Sequence, residues 1–559
     1  MKSYARLLAL LLAVLMMVSV FAGCSDNPEN PSSSSTEPSS SETPASSETP
    51  ASSETPASSE TPASSETPAS SETPASSETP DESKPEAPEA TKPVATKPVA
   101  TKPVATKPVE ATKPADNKYA AEPKVDLGGF TLRIKSDAFV DTMGNSSNKY
   151  TKEMKTRIQE AMKTLNFKLV TTAGGANYTE YTNVKKAIQA GSKTIGHFIV
   201  TSIPLGLAGA GSGYFQDLNK LDKATTGFDV KDPDRFWQAM TDVAVFEGKQ
   251  YGVALMTASS ELTQTSNGVF WFFNKNVTNK AGYSAATIYK LVRDYKWTLD
   301  EALKIMNAGY VADADGDGVA EVQGICSYNR QHKYYIQLDG GKTADKVNGK
   351  YIYTANGEKV MNVLNWLKDV YVTRKFGYAT GSGNVRTYVV TGKTVFSQGA
   401  PDYLVRSDLL GMVKDYQQNC GIIPSPVGNN QIKAKKYINP TSNANVYVMP
   451  TTVQGADRTK AATAFAAIAK RVTDLDEQLA MMKELGIIFD KDTEDMYVNY
   501  IMKNFISDIG YVTEISGTSG VDPMSVMVLD VTQGKKEPAA SVAAYQSSIN
   551  QTLNQVFKQ

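Results

Sequence analysis

The sequence predicts an α/β body of two lobes carried behind a long disordered stalk. Three observations predict it. Strand and helix patterns alternate from residue 130 to residue 202, the signature of a largely parallel sheet with helices over its faces. The stretch from 125 to 559 is too long for one hydrophobic core and suits two. Residues 25–124 consist mostly of two polar repeats with almost nothing to pack.

The elements follow in order. Leu127-Gly128-Gly129 is a turn, and residues 130–135 alternate as a strand does. A helix is expected over 149–165, where Met154, Ile158, Ala161, Met162 and Leu165 recur at spacings of three and four. Residues 167–171 read as a second strand, 180–190 as a helix and 196–202 as a third strand. Further helices are expected over 284–294, 299–307, 356–372, 401–416, 457–471, 475–485, 494–509 and 540–557. Thr298 suits an N-cap, and so does Asp522 with Pro523 behind it. Residues 270–273 read as a buried strand with Trp271 and Phe273 on one face. The glycine-rich stretch 206–213 lacks the Lys-Ser/Thr ending of a phosphate loop and reads as a flexible loop.

The N-terminus has the layout of an export signal: Lys2 and Arg6, an apolar run over 7–20, then Phe21-Ala22-Gly23-Cys24. The run is too short and too near the terminus for an ordinary spanning helix. The ending resembles the lipobox of bacterial lipoproteins, with Phe21 where Leu is usual. That resemblance implies that residues 1–23 are removed and that Cys24 is lipidated, so the chain would work outside the cytoplasm on a membrane tether. Residues 24–124 then form the anchor and stalk. Residues 39–80 repeat Ser-Ser-Glu-Thr-Pro-Ala, and 89–114 repeat Ala-Thr-Lys-Pro-Val. Without aromatic residues they cannot offset the entropy of ordering, and regular proline favours a semi-rigid extended spacer. At about 3.1 Å per residue its upper reach is roughly 300 Å.

Charge narrows the function. Fifty-eight basic residues stand against 59 acidic, for a formal net charge of −1. No basic face for nucleic acid is implied. Cys326 and Cys420 either pair or stand as two buried thiols; two cysteines make no disulfide framework, and the buried thiols are preferred. The only histidines are His197, in an apolar run, and His332, expected to face water or a cleft edge. They leave little material for a His-rich metal site or a His-based catalytic pair.

Several stretches resemble the extracellular solute-binding lipoproteins of ABC importers, of the carbohydrate type: Phe215-Gln-Asp-Leu-Asn-Lys-Leu221, Phe246-Glu-Gly-Lys-Gln-Tyr-Gly-Val253, Trp271-Phe-Phe-Asn-Lys275 and Trp297-Thr-Leu-Asp-Glu301. Phe396-Ser-Gln-Gly399, Gly421-Ile-Ile-Pro-Ser-Pro426, Tyr447-Val-Met-Pro-Thr451 and Asp492-Thr-Glu-Asp495 continue the series in the same order. The resemblance implies a periplasmic-binding-protein-like clamshell with hinge crossings. It places lobe 1 at about 125–255 and 385–440, and lobe 2 at about 256–384 and 441–559. It implies a monomer that captures a carbohydrate, an oligosaccharide above all, between the lobes and delivers it to ABC permease subunits without catalysis. A wall-associated polysaccharide adhesin is the alternative; a glycoside hydrolase would need paired carboxylates, and no motif singles out a pair.

Sugar recognition wants flat aromatic faces and polar groups for hydroxyls. Candidates beside the inferred crossings are Trp237, Glu261, Trp271, Tyr328, Tyr403, Arg406, Tyr447 and Tyr511, each weighed against core packing. Asp402 and Asp522 would accept sugar hydroxyls or cap helices, the cap being favoured for Asp522. Asp313, Asp315 and Asp317, with glycine between, make the first half of a calcium loop, with the Val319 carbonyl and Glu321 able to complete the shell. The twelfth position is Gly324 rather than Glu, which argues against a calcium sensor. The loop reads as a structural Ca2+ site or a metal-free Asp/Gly turn.

Overall fold

The computed structural model describes residues 125–144, 149–255, 270–380, 382–399, 412–441, 444–471, 475–484, 486, 488–516 and 522–559. The export signal, Cys24, the stalk, Glu261, Asp402, Tyr403 and Arg406 lie outside them.

The first sheet forms as its sequence predicts. Strands β1 (Phe130–Lys135), β2 (Phe167–Thr172) and β3 (Phe198–Ser202) are separated by the helices Lys149–Thr164 and Tyr178–Gln189. β1 pairs with both of the others in parallel. Met154, Ile158, Ala161 and Leu165 are all buried, so the three-and-four spacing places its apolar stripe on the sheet. After β3 a helix, Ile203–Gly211, occupies the glycine-rich stretch, which is therefore no flexible loop. Its glycines permit close packing: a Cβ on Gly209 would meet the Phe215 ring at 2.1 Å, and one on Gly211 the Phe557 ring at 2.4 Å. A small hairpin, β4 (Val245–Phe246) and β5 (Lys249–Gln250), precedes the passage to the second lobe.

The second sheet begins at β6 (Phe270–Asn274) and takes β7 (Gln323–Tyr328). A hairpin, β8 (Ala344–Val347) and β9 (Lys350–Tyr353), projects between β7 and β10 (Gly377–Thr380). β11 (Thr394–Gly399) and β12 (Cys420–Pro424) complete it, in the order β10-β7-β11-β6-β12. Only β6 runs antiparallel to its neighbours. Thr298 caps the helix Leu299–Gly309, accepting the Glu301 N–H at 3.0 Å. Beyond β12, β13 (Asn439–Pro440) leads to β14 (Asn445–Val448), which lies antiparallel against β3 in the first sheet. β15 (Phe505–Ile506) pairs with β13, where a continuous helix over 494–509 was expected.

This pairing corrects the lobe boundaries. Residues 394–424 do not return to the first lobe; β11 lies between β6 and β7, and β12 beside β6. Conversely Tyr447 belongs to the first sheet, and the helix Gly455–Ala469 packs on β1 and on Lys149–Thr164. Buried Arg157 ties these two helices by donating to the Ala467 carbonyl at 2.9 Å. Among the described residues the chain passes between the two sheets three times: between β5 and β6, between β12 and β14, and after the helix Gly455–Ala469. Cys326 and Cys420 are free and buried. They stand on strands separated by β11 and β6, about 14 Å apart at the usual strand spacing, beyond the reach of a disulfide.

The C-terminal helix Pro538–Phe557 ends against both lobes. The Phe557 ring stacks on Phe246 at 5.2 Å and meets Tyr351 at 4.3 Å. Lys558 donates to the Ser212 carbonyl at 2.8 Å, and Gln559 accepts the Tyr351 N–H at 2.6 Å. Glu247 of the first hairpin pairs with Lys346 of the second.

Candidate functional site: the carboxyl edges of the two sheets

In open α/β sheets ligands settle outside the carboxyl ends of parallel strands, where helices begin. In the first lobe that edge carries Ser136 and Asp137 after β1, Ala173 and Gly174 after β2, and Thr201 and Ser202 at the end of β3. Asp137 accepts the Gly174 N–H at 2.9 Å, joining the first two ends. The Ser136 hydroxyl and the Tyr447 phenol hydrogen-bond at 3.0 Å, both buried. In the second lobe Tyr328, Thr380, Gly399 and Pro424 end their strands along one edge, with Phe270 at the start of antiparallel β6.

The sequence candidates divide. Tyr328 lies on this edge and is half-buried. Tyr447 belongs to the first sheet, its hydroxyl engaged by Ser136 and its ring set edge-on to Phe139 at 5.6 Å. Trp237 is buried, edge-on to Phe505 beside the crossing at 5.4 Å. Trp271 and Tyr511 are corrected. Trp271 is fully buried among Trp297, Tyr335, Trp366 and Phe396. Tyr511 is equally buried and donates to Gln337 Oε1 at 2.9 Å. Both rings are packed into the second core, among other aromatic rings. Asp522 takes the capping role, accepting the Met524 and Ser525 N–H groups at 3.1 and 3.0 Å and pairing with Lys333 at 3.1 Å. Burial alone would raise its carboxyl, but Lys333 and Ser525 outweigh that and hold it below the ordinary range.

Both histidines are interior. His197 Nδ1 accepts the Arg133 N–H at 2.9 Å, and burial, aided by Arg133, pushes the ring down to about 4. His332 faces neither water nor a cleft edge. It is fully buried, its ring nitrogens at 2.6 Å from Ser327 Oγ and 3.2 Å from Thr532 Oγ1, and burial pushes it down to about 3.

The acidic loop hangs from a two-residue bridge between Val311 and Val322. Gly316 and Gly318 take φ of +79° and +87°, conformations that favour glycine. The exposed carboxylates of Asp313, Asp315 and Asp317 come within 4.8 Å of one another; Glu321 is not part of that group. Asp313 accepts the Gly316 and Gly318 N–H groups at 2.7 and 2.8 Å, which leaves each oxygen a further lone pair. The donor set fits a hard divalent cation.

Sequence reasoning passed over the small polar groups. Ser202 Oγ, Thr441 Oγ1, Ser507 Oγ and Asn439 Oδ1 are buried without a hydrogen-bond partner. Only their position beside strand ends could have singled them out. A hollow lined by Ser547, Asn550, Gln551, Asn554 and Gln555 is one face of the C-terminal helix.

No family model and no curated protein sequence matches the chain. Solved structures do. The sugar-binding protein MalE of the phytopathogen Xanthomonas citri superposes with a TM-score of 0.53 at 13% identity, over 77% of this chain and 99% of that one. The fold is that of a two-lobed solute-binding protein. UgpB of Mycobacterium tuberculosis, solved with glycerophosphocholine, gives 0.49 at 13% identity over 77% of this chain and 99% of that one. The GacH receptor of Streptomyces glaucescens gives 0.48 at 16% identity over 76% and 99%.

Proposed function

We propose that this protein is a non-catalytic receptor that closes its lobes over a carbohydrate outside the cytoplasm and passes it to an ABC permease. The observation that carries this reading is the pair of α/β sheets joined by three chain passages, in the fold shared with a sugar-binding MalE. Contact of one ligand with both lobes supplies the differential affinity that favours the closed state. Thermal melting and small-angle scattering of the purified chain against a glycan panel test it. A saccharide that raises the melting temperature and contracts the particle, with no reducing ends released, is the expected result. Stabilisation by peptides alone, or turnover of the saccharide, would overturn it.

Cys24 carries the lipid in this reading, and the stalk spaces a monomeric body from the membrane; incorporation of labelled palmitate should vanish in Cys24→Ala. The acidic loop holds a structural Ca2+ through Asp313, Asp315 and Asp317, without a regulatory role. The length of the stalk favours one second reading, an adhesin that retains polymer at the wall. Uptake of the bound saccharide by cells, lost on deletion of the protein, separates the receptor from the adhesin.

A further inference from the structure

We infer that the end of β3, residues 439–441 and Ser507 form a subsite for the hydroxyls of a neutral saccharide, made by Ser202, Thr441, Ser507 and Asn439. The inference rests on the receptor reading and deepens it. Ser202 stands at the N-cap of the nine-residue helix Ile203–Gly211, is 2% exposed, and makes no capping bond. Its Oγ has no hydrogen-bond partner. Thr441 is fully buried with Oγ1 likewise unpartnered. Asn439 donates its Nδ2 to the Ile501 carbonyl at 2.6 Å, while its Oδ1 accepts nothing. Ser507 Oγ completes the set.

These groups lie on segments knitted together by backbone bonds. Ser202 pairs in register with Asn445. The Ile203 N–H donates to the Ala444 carbonyl at 3.2 Å, and the Thr441 N–H donates to the Ile506 carbonyl at 2.8 Å. The Asn439 N–H donates to the Asn504 carbonyl at 3.0 Å. Residues 439–441 and 504–507 are thus paired directly, β3 pairs with the strand that begins at Asn445, and each of the three segments contributes an unpartnered oxygen. Buried polar groups in native proteins nearly always find partners, so each such atom asks for one.

The chemistry selects the ligand class. Three hydroxyls can donate to or accept from alcohols, the amide oxygen accepts from them, and none carries charge. The adjacent carboxylate, Asp508, is already committed to Thr343 and Gly510. No ion partner for an acidic or amino sugar stands among these groups. The first-turn N–H groups of the helix add a partial positive charge that suits an alcohol oxygen. Trp237, edge-on to Phe505 two residues before Ser507, supplies an apolar wall nearby.

The test measures affinity and melting temperature together in the full chain. Wild type is screened against maltotriose, cellotriose, xylotriose, laminaritriose and an oligogalacturonate. For the tightest neutral trisaccharide, Ser202→Ala, Thr441→Val and Ser507→Ala should each weaken binding about tenfold, with melting unchanged. Thr441→Ser should restore affinity and guards against a folding defect in Thr441→Val. Affinities within twofold of wild type in all three variants overturn the subsite while the receptor reading stands. A lowered melting temperature at unchanged affinity assigns these oxygens to internal water and also overturns it. Tighter binding of the oligogalacturonate overturns the neutral class. No binding of any saccharide by wild type sinks the receptor reading, and the subsite with it.

Discussion

The two lobes use one architecture but fill it differently. The first packs its sheet with phenylalanines and small residues: Phe198 and Phe465 stack at 3.8 Å, and every residue from Ala461 to Ala469 is buried on one alanine-rich helix. The second packs a wider sheet with tryptophan and tyrosine, Trp271, Trp297, Tyr335 and Trp366 forming one cluster. Its unpartnered polar atoms include Gln398, Trp271 Nε1 and the Tyr289 and Tyr416 hydroxyls, all within that buried interior. Those of the first lobe include Thr201 and Ser202 at the end of β3, besides Arg235 Nε and Thr452 Oγ1 elsewhere. Aromatic residues in this chain therefore report core filling in the second lobe, and small hydroxyls mark the edge in the first.

The sharpest way to break that contrast is Trp271→Ala. It should lower unfolding free energy by about 3–5 kcal/mol, the range for emptying a core tryptophan site, read from denaturant melts. Weakened saccharide binding at unchanged stability would return Trp271 to the ligand. Next comes Asp522→Asn, which removes the buried Lys333–Asp522 ion pair. A loss of about 3 kcal/mol is expected, confined to pH above the carboxyl range. Because the folded carboxyl is depressed, the stabilisation it provides is present above the unfolded value and disappears as pH falls through the folded one. Gly209→Ala should cost about 2 kcal/mol, since the added methyl meets Phe215; a neutral result would mean the segment has the freedom of a loop.

One histidine in each lobe gives a matched pH test. Both are held neutral, with values of about 4 for His197 and about 3 for His332 against an ordinary 6.5. Between those limits the unfolded chain binds more protons, so stability should decline as pH falls below 6.5, by about 1.4 kcal/mol per unit for each ring. His332→Gln should flatten part of that slope in melts from pH 7 to 4.5. The smallest effect belongs to the acidic loop. Asp315→Asn should change stability by less than about 0.5 kcal/mol without calcium and abolish any calcium-dependent rise in melting temperature. No rise in the parent would identify a metal-free turn.

Local chemistry made much of this molecule legible. β1 occupies the predicted residues, Thr298 and Asp522 cap the helices they were expected to cap, and the apolar stripe from Met154 to Leu165 faces the core. Errors arose where partners are distant. Residues 394–424 have the same strand character in either sheet, and only pairing with β6 and β7 assigns them to the second. The stretch 206–213 reads as a flexible loop because it lacks a phosphate-loop ending, whereas Phe215 and Phe557 require its glycines small. Of the candidate site residues, Tyr328 alone stands half-buried on a described edge, because an aromatic side chain carries the same local signal in a core as in a cleft.

By itself the sequence determined the α/β alternation of the first lobe, the helix caps at Thr298 and Asp522, and the near-neutral charge balance. Each depends on residues within a few positions or on composition. The tertiary structure alone decided which sheet each later strand joins, which aromatics are sealed inside, and which hydroxyls meet at the chain passages. Those outcomes depend on residues hundreds of positions apart competing for the same buried space, and no periodicity along the chain encodes that competition.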